Sequence, residues 1–209
     1  MFQEHTLMTA NGDDLPASRA VRPAGRYLRL HRPGDPGRGE VEAFIRDVYA
    51  EHYGADVRAF APVLLSLHDG DEMVAAAGYR HATQPLFLER YLDRPVERLL
   101  GTTRPPRERI VEVGHLASRR AGEGRRLILE LARHLGELQV QWVVSTLTEE
   151  LRQVFARMGV QPIALGIADP ERLGADAADW GSYYDHRPLV LAGSLPHALR
   201  RLAPRLAKA

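Results

Sequence analysis

The sequence predicts a single α/β core built on a mixed sheet, and three observations carry that expectation. Segments of strand period and of helical period alternate in the order β-α-β-β-(αα)-β-α-β-α-β-β, the pattern of helices packed on a sheet. An Asp-Gly turn at 68–71 joins two of the strands as a hairpin. The chain has 209 residues, 44% hydrophobic and 26% charged, the mixture of a globular protein that buries about 70% of its extended surface.

The elements follow in order. Residues 27–31 (YLRLH) alternate with period two. After the breaker run PGDPGRGE, Val41, Phe44, Ile45, Val48 and Tyr49 fall at helical spacing. Residues 61–68 and 73–80 are the hairpin strands. The stretch QPLFLERYLDRPVERLLG places Leu88, Leu92, Val96 and Leu99 on one stripe, broken near Pro95 into two short helices. A strand at 110–118 (IVEVGHLAS) precedes a helix at about 125–135, with Leu127, Ile128, Leu131 and Leu135 facing inward. The continuous apolar run QWVVST predicts a buried strand at 141–146. The segment TLTEELRQVFARMG starts with Thr146 and Glu149 in capping-box spacing, turns Leu151, Phe155 and Met158 inward, and stops at Gly159. Strands at 163–168 and 187–191 close the sheet, separated by an acidic loop carrying Trp180, Tyr183 and Tyr184.

Residues 1–25, poor in large apolar side chains, are expected to form a flexible N-terminal arm, and 26–195 the folded domain. A basic tail at 196–209 sets Leu199, Leu202 and Leu206 opposite Arg200, Arg201, Arg205 and Lys208. Such a stretch can meet anionic lipid or fray as a terminal helix, and Pro204 interrupts it.

Composition removes several function classes. Lys208 is the only lysine, which excludes Schiff-base, pyridoxal-phosphate and Walker-type chemistry. With Cys 0 there is no disulfide framework, thiol nucleophile or Cys-ligated zinc. The nine histidines lie too far apart for a metal-binding pair, so no metal is expected. A net charge of +1 gives no support to nucleic-acid binding. The N-terminus lacks a basic-then-apolar signal, and runs such as APVLLSL are far short of the ~20 residues of a membrane span. A cytoplasmic protein is expected.

The strongest chemical signal follows IVEVGHLAS directly. In RRAGEG, Arg119, Gly122 and Gly124 fit R-x-x-G-x-G and open the next helix. Glycines at a strand-to-helix turn let backbone N–H groups converge on an anion, helped by the helix dipole, and a pyrophosphate would sit there. The motif alone is equally that of a tight turn with solvated arginines. A dinucleotide-binding reading fails, because that fingerprint follows the first strand of a parallel unit and this turn follows a hairpin.

Element order and motif together resemble the GNAT acyltransferase superfamily. More narrowly, LFLERYLDRPVE, IVEVGHLAS, GRRLI, WVVSTLTEELRQVFARMG and ADPERL followed by WGSYYDHRPLV resemble, in that order, the thermostable haemolysin family. That resemblance implies a GNAT-like mixed sheet with a splayed central strand pair and flanking helices, similar in layout to acyl-homoserine-lactone synthases. It also implies acyl-CoA or acyl-carrier-protein phosphopantetheine as co-substrate, held by Leu116, Ser118, Arg119, Gly122, Glu123, Gly124 and Arg125.

Acyl transfer to an amine needs a base for the amine proton and donors for the developing oxyanion. Glu112 is the leading base candidate, mid-strand beside the expected gap; the alternative is a carboxylate paired to Arg80 on the neighbouring strand. His115 is the second candidate, or a satisfied core histidine. The odd separation puts the two on opposite faces of a regular strand, and a bulge at Gly114 would bring them to one side. Phe155 stands where many GNAT enzymes carry a tyrosine acid, leaving Tyr91, Tyr183 or Tyr184 to serve, or the thiolate to depart unaided. Glu89, Tyr91, Trp180, Tyr183 and Tyr184 are expected to wall a substrate pocket; the aromatic trio alternatively anchors the last strand. The leading function is an acyltransferase acting on a small amine. The alternatives are a membrane-active haemolysin and a non-catalytic acyl-carrier-binding module.

Overall fold

The computed structural model describes residues 25–101 and 104–207. All of the arm expected at 1–25 except Gly25, and Lys208 of the tail, lie outside the described residues. The chain runs β1 (Arg26–His31), α1 (Arg38–Tyr53), β2 (Val63–Asp69), β3 (Glu72–His81), β4 (Ile110–Ser118), α2 (Glu123–Glu137), β5 (Trp142–Leu147), α3 (Glu149–Arg157), β6 (Ile163–Ile167), β7 (Leu189–Ser194) and α4 (Leu195–Leu206). The strands form one seven-stranded sheet in the order β1-β2-β3-β4-β5-β7-β6. All neighbours are antiparallel except β4 and β5, which are parallel.

Two layers of helix cover the sheet. On one face, α2 and α4 bury Leu127, Leu131, Leu135, Leu195 and Leu202 against Leu65, Val111 and Val113; each fully buried leucine contributes about 1.5–3 kcal/mol. On the other face, α1 buries Val41, Phe44, Ile45 and Val48, while the insert after β3 and the segment after β6 pack over Ile110 and Val144.

Several local expectations are refined. The insert forms 3-10 turns at Leu88–Tyr91 and Val96–Arg98, not α-helices, and buries Leu88 and Val96 on either side of Pro95. The N-cap of α3 is Thr148, whose Oγ1 accepts the N–H of Leu151, so the cap falls two residues beyond Thr146. The acidic loop is instead a run of 3-10 turns at Pro170–Trp180 and Tyr183–His186.

The expected basic tail takes the terminal-helix alternative over Leu195–Leu206. It is α4, an integral helix whose Leu195 and Leu202 are buried. Leu199 occupies the space over Gly136, where a Cβ would come within 2.9 Å of its Cδ1. Arg205 donates to the carbonyls of Met158 (2.8 Å) and Arg157 (3.2 Å), satisfying the C-terminal end of α3. The face expected to meet lipid is committed to the core. Among the described residues no helix is long and apolar enough to cross a membrane.

Candidate active site

The site is made by a strand that leaves its neighbour. β4 and β5 pair only at Ile110 with Trp142, Val111 with Val143 and Glu112 with Val144. β4 continues to Ser118 and β5 to Leu147 with no further pairing between them, so a wedge opens in the middle of the sheet. The other edge of β4 stays paired to β3, and there the register slips: Gly78 faces Gly114, whereas Ala76 faces Ala117. One extra β4 residue is thereby accommodated, the definition of a bulge.

His115 sits in that bulge with left-handed backbone, φ 54°. Its Nε2–H donates to the carbonyl of Ala59 (3.1 Å), and its ring packs on Phe60. Nδ1 is buried without a hydrogen-bond partner among the described residues and faces Gly78, where a Cβ would lie 3.2 Å away. Burial pushes the imidazole pKa down to about 4, so the ring is neutral at ordinary pH. The bulge brings Glu112 and His115 into the lining of one cavity, as their candidate roles require.

Glu112 is buried, and both its oxygens are engaged. Oε2 accepts the N–H of Phe87 (2.8 Å) and Oε1 that of Leu88 (2.9 Å). The Nε of Arg80, directly opposite on β3, lies 3.8 Å from Oε2, so the expected ion pair is present but long. Desolvation raises the carboxyl pKa, and the two amides and Arg80 only partly offset it. The residue thus anchors the insert and keeps a pKa moved toward that of a working base.

The glycine turn lies at the open end of β4. Gly122 takes φ 88° as the N-cap of α2, a conformation that favours glycine. Gly124 lets the helix approach the strand, since a Cβ there would stand 3.1 Å from Ser118 Oγ. Leu116, Ser118, Gly122, Gly124 and Arg125 line a cavity of about 350 Å³ between β4, α2 and α3. Two expected members of the set turn their side chains elsewhere. Arg119 pairs with Asp47 (3.0 Å) and lies over Phe44, while Glu123 receives Arg26 (2.8 Å) from β1. Their backbone N–H groups are also engaged, Arg119 donating to the carbonyl of Val74 (3.4 Å) and Glu123 to that of Arg120 (3.3 Å).

On the opposite face, a cavity of about 490 Å³ is lined by Glu112, His115, Tyr91, Trp180 and Tyr183, joined by Tyr49, Arg80 and Phe87. Two expected pocket residues do not line it. Glu89 is held by Arg107 through both oxygens (2.7 and 2.9 Å) and accepts the N–H of Val96, so it fastens the insert to itself. Tyr184 stands behind the wall with its hydroxyl 2.7 Å from that of Tyr91. Burial raises the phenol pKa of Tyr91, Tyr183 and Tyr184, which keeps them protonated.

Phe155 lines a third, apolar cavity of about 80 Å³ beneath the wedge, with Leu116, Val143, Leu147, Leu191 and Leu202. Leu116 also borders the glycine-turn cavity, and Val113 also borders the aromatic one. Each of the three spaces thus borders β4 within residues 113–116.

A seven-stranded mixed sheet with a strand pair parted beside a helix-opening glycine turn is a GNAT-like fold. Similar solved structures include the acyl-homoserine-lactone synthase LasI, with TM-score 0.58 and 17% identity over 83% of this chain and 91% of that one. BjaI, a CoA-dependent acyl-homoserine lactone synthase solved with SAM and isopentyl-CoA, gives TM-score 0.62 and 15% identity over 88% and 90%. FeeM, an N-acyl amino acid synthase from uncultured soil microbes, gives 0.57 and 14% over 84% and 94%. At such identities the likeness is one of fold. The chain itself belongs to the thermostable hemolysin family, whose model matches residues 31–199. No curated protein matches the sequence.

Proposed function

We propose that the protein is an N-acyltransferase that moves an acyl group from acyl-CoA, or from the phosphopantetheine of an acyl carrier protein, to a small amine. The observation that carries this reading is the parting of β4 from β5 after Glu112, with three cavities each bordering the parted stretch of β4. The glycine turn supplies amides for a pyrophosphate or a carrier phosphate, with Arg125 alongside. The β5-facing edge of β4 beyond Glu112, which pairs with no strand among the described residues, would hydrogen-bond a pantetheine arm and the thioester carbonyl. The apolar cavity, at about 80 Å³ several-fold the space that one water-sized group requires, suits an acyl chain longer than acetyl. Its lining includes Phe155, which gives that ring a packing role in place of the tyrosine acid.

The amine would approach from the aromatic cavity, where Glu112 takes its proton as nitrogen attacks the thioester carbon. The carbon–sulfur bond then breaks, and the thiolate leaves with its electron pair; a thiol pKa near 8.5 makes this departure tolerable without a tyrosine acid. Neighbours described as acyl-homoserine lactone and N-acyl amino acid synthases support the same class of reaction. The test is release of free thiol from acyl-CoAs of graded length, and from acylated carrier protein, on addition of an amine panel. Amine-dependent release is expected. Its absence with both carriers across the panel would remove the transferase reading.

A further inference from the structure

We infer that the acceptor is an α-amino acid with a bulky apolar or aromatic side chain, its carboxylate held by Arg80 and its nitrogen beside Glu112. The inference rests on the proposed transfer reaction and names its acceptor class.

Arg80 and Glu112 are cross-strand partners, so a guanidinium and a carboxylate stand side by side on the cavity floor. They do not saturate each other. The Nε to Oε2 distance is 3.8 Å, and Arg80 Nη1 donates to the carbonyl of Pro85 at 3.2 Å. Nη2 makes no hydrogen bond among the described residues, which leaves part of a fork suited to a carboxylate. The other arginines of the cavity are spoken for. Arg58 joins Asp56 (2.8 Å) to Asp179 (3.1 Å), and Arg90 holds Asp176 (2.9 Å).

A ligand satisfying Arg80 and Glu112 together needs opposite charges on neighbouring atoms, and the ammonium and carboxylate of an α-amino acid have that spacing. A plain amine would leave the guanidinium facing an unmatched group. The remaining wall combines the aromatic rings of Tyr49, Phe87, Tyr91, Trp180 and Tyr183 with His115, Thr146 and the ion-paired Arg58 and Arg90 with their aspartates; the Phe87 and Trp180 centroids lie 5.6 Å apart. With those charges paired to one another, the aromatic part of the wall suits a large apolar side chain. In the reaction the ammonium loses one proton to Glu112, and nitrogen attacks the thioester carbon. The second proton is lost as the amide forms and ends on the departing thiolate, giving an N-acyl amino acid and a free thiol.

The test compares L-phenylalanine, phenethylamine and L-alanine by calorimetric binding to the full chain, alongside thiol release from an acyl-CoA. Phenylalanine is expected to bind about tenfold or more tighter than phenethylamine, the difference one charge-assisted fork supplies, and tighter than alanine. Arg80→Gln should bring phenylalanine to within about twofold of phenethylamine, and Arg80→Lys should restore part of the gap. Equal binding of phenylalanine and phenethylamine to the wild type, or no binding of either, overturns the inference whether or not any variant folds. A preference that survives Arg80→Gln also overturns it. Thiol release with phenethylamine as fast as with phenylalanine overturns the amino-acid assignment and leaves the transferase reading standing. Arg80-dependent phenylalanine binding without thiol release from any carrier overturns the transferase reading and leaves the amino-acid site standing.

Discussion

Glu112 and His115 face the same cavity although three positions separate them along one strand. Regular pleating would put them on opposite faces. The slip between the Gly78–Gly114 and Ala76–Ala117 pairs, and the left-handed backbone at His115, reverse that alternation. The same irregularity follows soon after the last β4–β5 pair at Glu112, so the side chains that it orients stand beside the opening.

Substitutions at His115 should therefore separate backbone from titration. His115→Val, β-branched at φ 54°, is expected to lose about 1–3 kcal/mol in chemical denaturation. His115→Asn, which tolerates left-handed backbone, should fold with a smaller loss. Burial lowers the imidazole pKa from 6.5 to about 4, so between these values the unfolded chain binds a proton that the folded chain refuses. Wild-type stability should fall as pH drops through that window, and the asparagine variant should show a shallower slope. Equal slopes would remove His115 as the cause.

For Glu112, anchor and base make different demands. Glu112→Ala leaves the N–H groups of Phe87 and Leu88 unpaired, at about 1–3 kcal/mol each. Glu112→Gln keeps one acceptor and should lose roughly half as much. Both should lower turnover by about 10²–10⁴-fold if the carboxylate is the base. The wild-type rate should rise with pH through a value above the ordinary 4.5, the direction in which burial moves this carboxyl, and the variants should lack that limb. A glutamine variant that is destabilised yet turns over normally would leave Glu112 as an anchor alone.

Gly122 tests the glycine turn. No atom stands within 4 Å of a Cβ placed there, so the cost of substitution comes from φ 88°. Gly122→Val should fold with a stability loss of about 1–3 kcal/mol. It should also lose most of the thermal stabilisation that CoA gives the wild type. Undiminished stabilisation by CoA would place the phosphates elsewhere.

The ring of Phe155 sets one boundary of the apolar cavity. Phe155→Ala is expected to move the preferred acyl chain to greater length, read as a shift in kcat/KM across a series of acyl donors. Phe155→Tyr should not raise kcat, because its hydroxyl would enter an apolar space. A faster tyrosine variant would show that the missing acid limits the reaction.

Much of the scaffold was legible because local physics and tertiary structure agreed. The strand Ile110–Ser118, the Asp-Gly hairpin and the stop of α3 at Gly159 each rest on short-range pattern. The insert misled because Leu88, Leu92 and Val96 satisfy helical spacing, while neighbouring prolines and the anchoring of Phe87 and Leu88 on Glu112 favour 3-10 turns. The tail misled because its apolar stripe fits a lipid surface as well as it fits α2. At the site, the strand residues and the glycine turn could be read directly. Tyr49, Arg80 and Phe87 were missed as wall residues: the β3–β4 register sets Arg80 opposite Glu112, but nothing local signalled Tyr49 or Phe87. The wall is assembled from α1, the insert and the segment after β6, and no local pattern encodes their meeting. Glu89 looked like a pocket carboxylate until its partner Arg107 was placed by the fold.

The claim on which the rest depends is that an acyl carrier lies along the free edge of β4. Amide hydrogen exchange, with and without a non-hydrolysable acyl-CoA analogue, measures this directly. Slower exchange confined to residues 113–118 and the turn at 119–125 is the expected result. Unchanged exchange there, or protection only at another surface, would contradict the account.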